Sequence, residues 1–137
     1  MQLSSFNRVS SFKSAGKLIT GHGAAQQLQL YVQSLGMQRP LIVTDSGVVA
    51  SGTLDMITEQ LTALKVTYEV FDQVTPEPEV EIVEMCTRAF NAGKHDSVIA
   101  VGGGSAMDIA KCVAVYAHYE GPLEALFGEN KVDQRTI

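Results

Sequence analysis

The stretch SVIAVGGGSAMDIAK, residues 97–111, constrains the fold more than any other part of the chain. A continuous apolar run, Ser97–Val101, ends in three glycines, and a helical pattern starts directly behind them. Such a run suits a strand buried on both faces. From Ser105 to about His118, Ala106, Ile109, Ala110 and Val113 fall on one helical face.

The same alternation extends upstream. Residues 24–35, AAQQLQLYVQSL, place Leu28, Tyr31, Val32 and Leu35 on one face of a helix, with Gly36 as its stop. Leu41–Thr44 is an apolar strand. Leu54, Ile57, Leu61 and Leu64 then recur at helical spacing, with Thr53 as N-cap and Asp55 in the first turn. Residues 66–71, VTYEVF, alternate like a strand. The next helix is opened by Pro78, carries acids at its start and is closed by Gly93. The order is strand, helix, strand, helix, strand, helix, with a further helix in front. It predicts right-handed crossovers and a parallel sheet covered on both faces. The expected fold is therefore α/β, half of a Rossmann-like doubly wound sheet. Beyond Gly121-Pro122 the pattern is less regular, with PLEALFG as one short helical stretch.

Bulk properties narrow the function classes. A chain of 137 residues with 45% hydrophobic side chains can bury one domain's core. A net charge of -5, with scattered acids, is not the basic footprint of a nucleic-acid binder. No apolar run approaches a membrane span. The N-terminal MQLSSFNRVSSFKSAGK lacks the apolar centre of a signal peptide and fits a transit sequence poorly. Cys86 and Cys112 stand on separate segments without a CxxC pattern, as small hydrophobes in a reducing compartment do. A soluble cytoplasmic domain is expected.

In an open parallel sheet, ligands sit at the carboxyl ends of the strands. Here the three strands run into Thr44-Asp45-Ser46-Gly47, Thr75-Pro76-Glu77-Pro78 and Gly102-Gly103-Gly104-Ser105. Glycines without Cβ let backbone amides approach an anion, and the helix behind them offers its N-terminal dipole to a diphosphate. The same residues also make a tight turn, and Ser105 with Asp108 has the spacing of a capping box. Asp45 can accept both hydroxyls of an adenosine ribose and repel a 2′-phosphate, favouring NAD over NADP. It can equally cap the next helical segment or form an Asx turn. The two prolines stiffen the second loop, either as a shelf beside an adenine or as a rigid lead into a helix. The acid precedes the glycines by two crossovers, and the loop reads GGGS rather than GxGxxG.

In order, GHG at Gly21–Gly23, LIVTDSGV at Leu41–Val48, VTPEP at Val74–Pro78 and VGGGSAMDIAK at Val101–Lys111 resemble the iron-containing (group III) alcohol dehydrogenase family. The resemblance runs from about residue 15 onward and covers only the N-terminal, cofactor-binding part of such an enzyme. It implies that Asp45 contacts the adenosine ribose. Gly103, Gly104 and Ser105 would bind the pyrophosphate, with Gly102 shaping the turn. Glu77 would lie near the adenosine, where many relatives carry Asn, and Asp108 would serve the nicotinamide side or the helix cap. Gly21 and Gly23 match an FGxG element in which Thr20 replaces the common Phe, and they are assigned a structural role.

The family's divalent metal, iron or zinc, sits in a C-terminal helical domain, expected to be absent from this chain. His22, His95 and His118 lack the i, i+4 spacing of paired ligands and read as surface or loop residues. No catalytic or metal-ligating residue is therefore assigned, and no turnover is expected of these residues alone. The resemblance further implies NAD as cofactor, a small alcohol or aldehyde as substrate of the intact enzyme, and a homo-oligomer. A glycerol dehydrogenase-, dehydroquinate synthase- or maleylacetate reductase-like domain is a neighbouring reading. A stand-alone nucleotide-binding module without catalysis is the non-enzyme alternative.

Overall fold

Strand β1, Pro40–Val43, is buried along its whole length and forms the centre of a three-stranded parallel sheet. The computed structural model describes residues 17–77 and 79–117. The N-terminal residues, Pro78, His118 and the tail with PLEALFG lie outside them. In chain order a short 3-10 turn, Ala24–Gln27, leads into α1, Leu28–Ser34, followed by β1. Then come α2, Ser46–Ala50, and α3, Asp55–Ala63. They are followed by β2, Glu69–Phe71, α4, Val80–Ala92, β3, Ser97–Ala100, and α5, Gly104–Tyr116.

The sheet order is β2-β1-β3, with Leu41 opposite both Glu69 and Val98. Successive side chains of a strand point to opposite faces, and β1 splits its residues accordingly. Leu41 and Val43 join Phe71, Val83, Phe90, Ile109 and Val113 in a core under α4 and α5. Ile42 joins Val32, Leu54, Ile57, Leu61 and Ile99 in a second core under α1 and α3. The expected α/β parallel sheet, covered on both faces, is therefore present. The chain moves from β1 outward to β2 and then returns past β1 to β3. That reversal opens a crevice at the carboxyl ends of β1 and β3.

All four apolar residues expected on the inner face of α5 are buried. Several local expectations differ. Leu35 caps the end of α1 and is 69% exposed, because the helix stops before completing the turn that would bring it round. Leu54, not Thr53, occupies the N-cap position of α3, and the Thr53 hydroxyl instead meets that of Ser51 at 2.7 Å. In β3 only Ile99 is buried, since this strand pairs with β1 alone among the described residues.

Gly93 ends α4, but not by adopting a left-handed turn: its φ is -82°, and Lys94 takes the positive value of 52°. Glycine is needed there for space. A Cβ would overlap His95 Nε2 and fall 2.7 Å from Glu69 Oε2. His95 is buried rather than superficial. Its Nδ1 lies 3.0 Å from the Arg39 carbonyl oxygen and its Nε2 lies 2.9 Å from Glu69 Oε2.

Candidate functional site

Asp45 leaves the end of β1 in extended conformation, with φ -115° and ψ 164°, and turns the chain into α2. Its Oδ1 accepts the Val48 amide at 2.8 Å, which is the N-cap interaction that short polar side chains favour. A Cβ added to Gly102 would lie 3.6 Å from Asp45 Oδ2, so the carboxylate faces the start of the glycine loop. Helix capping and ligand recognition are compatible here, because the cap uses one oxygen.

Gly102 has φ +139°, a conformation that side chains other than hydrogen rarely adopt. It bends the chain out of the sheet so that Gly103 can cap α5. The first helical bond runs from the Met107 amide to the Gly103 carbonyl at 3.3 Å. The amides of Gly104, Ser105 and Ala106 therefore precede any acceptor within the helix, and no side chain among the described residues caps them. A Cβ at Gly103 or Gly104 would meet nothing within 4 Å. Open space over unpaired amides at a helix N-terminus is what an anion requires.

Ser105 departs from the capping-box expectation. It lies inside the first turn of α5, and its hydroxyl donates to the Pro76 carbonyl at 2.9 Å. Its one proton is committed across the crevice to the second loop, so contact with an acceptor-only phosphate falls to its backbone amide.

These residues enclose a cleft of about 440 Å³, within the common range for small-molecule sites. Asp45, Gly103, Gly104 and Ser105 line it together with Ser46, Val74, Thr75, Pro76 and Ala106. Of the other residues singled out in the sequence, Gly102 lines an adjacent apolar hollow with Val101, Ile99 and Tyr31. Glu77 is exposed and does not line the cleft, and its carbonyl accepts the Thr75 hydroxyl at 3.3 Å. Asp108 is exposed one turn into α5 and also lies outside the lining. Its charge acts on Cys112, whose thiol is pushed up first by burial and then by this carboxylate. Burial pushes the Cys86 thiol up to about 12, which leaves it an inert part of the core. Thr75 and Ser46 were visible in the strand-end motifs that the sequence placed on the ligand side of the sheet, but no spacing or chemistry in the sequence singled them out as lining residues.

The cleft lining combines the Asp45 carboxylate, the amides of the glycine loop and the apolar side chains of Val74, Pro76 and Ala106. That donor and acceptor set fits a nucleotide with a ribose and a diphosphate. It does not fit a metal: among the described residues no group of three or more His, Cys, Asp or Glu side chains can hold one. Among the same residues no helix is long and apolar enough to cross a membrane.

Residues 15–137 match the family described as iron-containing alcohol dehydrogenase. The long-chain-alcohol dehydrogenase 1 of Geobacillus thermodenitrificans is 41% identical over 101 residues, covering 74% of this chain and 26% of that protein. The NADH-dependent butanol dehydrogenase A of Thermotoga maritima superposes with a TM-score of 0.81 at 25% identity, over 93% of this chain and 33% of that one. The sulfoacetaldehyde reductase of Bifidobacterium kashiwanohense, solved in complex with NAD+, gives 0.67 at 26% identity, over 79% and 28%. The chain thus spans about a quarter to a third of the length of these relatives. The family match runs through every strand end that lines the cleft, and the same fold recurs in these enzymes: the chain belongs to the iron-containing alcohol dehydrogenase family.

Proposed function

We propose that residues 1–137 form the dinucleotide-binding domain of a metal-dependent alcohol dehydrogenase and that the cleft holds NAD(H). One observation carries this reading. The Asp45 carboxylate and the uncapped amides of Gly104, Ser105 and Ala106 line the same cleft at the sheet's switch point. Asp45 accepts the adenosine ribose hydroxyls and disfavours a 2′-phosphate. Gly103, Gly104 and Ser105 receive the pyrophosphate through their amides, and Gly102 sets the turn. Pro76 and Val74 flank the adenosine. Glu77 and Asp108 contribute charge from outside the cleft wall. The relatives named for NADH dependence and for an NAD+ complex support the choice of cofactor.

When bound, the nicotinamide exchanges hydride with an alcohol or aldehyde carbon. These residues hold and orient the cofactor. The divalent metal of the family is held by another part of the intact enzyme. That enzyme is a cytoplasmic homo-oligomer interconverting small alcohols with aldehydes or ketones.

Titration of the chain with NADH and NADPH, followed by nicotinamide fluorescence, tests the reading. Tighter binding of NADH supports it. Equal failure of both cofactors, in the chain and in its full-length enzyme, overturns it.

A further inference from the structure

The three strand ends meet at one residue that does not line the cleft. Thr44 follows β1 directly and is polar yet fully buried. Its amide donates to the Phe71 carbonyl at 2.8 Å, and its carbonyl accepts the Val74 amide at 3.2 Å. Those two bonds hold the exit of β2. Its hydroxyl donates to the Val101 carbonyl at 2.7 Å and holds the exit of β3. The Val101 amide in turn donates to the Val43 carbonyl at 3.0 Å.

Val101 is the last residue before Gly102, and three glycines in succession have wide conformational freedom. A loop of this kind presents its amides in one geometry only if its root is fixed. A valine would fill the space of Thr44 equally well in an apolar core. The hydroxyl adds one directed bond, and that bond ends at the root of the glycine loop.

We infer that Thr44 is a positioning residue for the cleft. Its hydroxyl fixes the point from which the glycine loop leaves the sheet. It thereby sets the spacing between Asp45, its chain neighbour, and the amides of Gly103, Gly104 and Ser105. The inference rests on the reading of the cleft as a dinucleotide site, but its physical core, a side-chain hydroxyl reinforcing the backbone bond at the root of the loop, can be measured without a ligand.

The experiment compares the chain with its Thr44→Val and Thr44→Ser variants in two measurements. Hydrogen–deuterium exchange of the free proteins reports the loop, and NADH titration reports the cleft. In Thr44→Val, exchange at the hydrogen-bonded amides that flank the loop, Val101 and Met107, accelerates and NADH affinity falls, each about five- to ten-fold, as loss of one hydrogen bond predicts. Exchange in α3 stays as in the parent, and Thr44→Ser, which keeps the hydroxyl, stays close to the parent in both. Unchanged exchange at these two amides in Thr44→Val overturns the inference. So does a uniform acceleration along the chain, or a Thr44→Ser variant as impaired as Thr44→Val, since either assigns the effect to packing. Failure of the parent chain to bind NADH counts against the dinucleotide reading, and the exchange comparison still decides the role of Thr44.

Discussion

Ser105 donates its hydroxyl proton to the carbonyl oxygen of Pro76, 2.9 Å away and twenty-nine positions earlier in the chain. The bond joins the glycine loop to the proline-stiffened loop across the cleft. Replacing Ser105 with Ala removes it at a half-buried position and frees the two walls to separate. NADH affinity is expected to fall about five-fold, with a loss of stability near 1 kcal/mol. Fluorescence titration and thermal melting of the variant check both numbers. Unchanged affinity would show that the walls hold their spacing without this bond.

Asp45 has two separable duties. Its Oδ1 caps α2 through the Val48 amide, and its charge is the proposed barrier to a 2′-phosphate. Asn keeps the cap and loses the charge, whereas Ala loses both. Asp45→Asn is expected to retain the parent's stability while narrowing the preference for NADH over NADPH. Asp45→Ala narrows it similarly and in addition costs about 1 kcal/mol in stability. Denaturant melts paired with binding titrations separate the two effects.

Asp96, at the opposite end of β3, supplies a pH dependence. Burial alone raises its carboxyl, but the Ser97 hydroxyl and the amides of Gln38 and Arg39 more than offset this and hold it below its ordinary value of 3.8. A depressed folded-state pKa favours the ionised form in the native state. The stabilisation is complete above the unfolded value and is lost as pH falls from there through the lower folded value. Urea melts between pH 5 and pH 2 are expected to show the parent losing its advantage over Asp96→Asn as pH falls. A gap that stays constant across that range would remove Asp96 from the acid transition.

Lys65 and Lys94 have φ of 58° and 52°, each just past the end of a helix. In both cases the following residue closes a bond back to the last turn, from Val66 to Leu61 and from His95 to Phe90, each near 3 Å. Glycine is favoured where this motif requires a left-handed residue, as Gly36 illustrates after α1 with φ 67°. Lys65→Gly is therefore expected to stabilise the chain by about 0.5–1 kcal/mol, the left-handed penalty being offset in part by glycine's extra entropy when unfolded. A higher midpoint in thermal melts, at unchanged NADH affinity, is the predicted result.

The parts of this fold that follow a period were legible in the sequence. The face of α5 could be read because Ala106, Ile109, Ala110 and Val113 recur at helical spacing, and all four are buried. The central strand could be read because an unbroken apolar run has few other places to go. The convergence of Asp45 and the glycine loop followed from the rule that parallel strands deliver their ends to one edge. What escaped was set by contacts with no local signature. Pro76 as the partner of Ser105 depends on two loops meeting across a crevice. Gly93 looked like a helix stop, yet its lack of a side chain answers to His95 and Glu69. Thr44 read as the last residue of a strand, because a hydroxyl's partner fifty-seven positions away leaves no trace in its neighbours.

Thr44 and Asp45 are adjacent, yet one faces inward to the strand ends and the other outward to the cleft. The two-residue repeat of extended backbone makes this separation automatic. In the proposed reading, scaffold and recognition thus occupy different positions in the same short motif. Such a division would favour evolvability: exchange at position 45 would redirect cofactor choice over generations while the neighbouring threonine preserved the frame in which that choice is made.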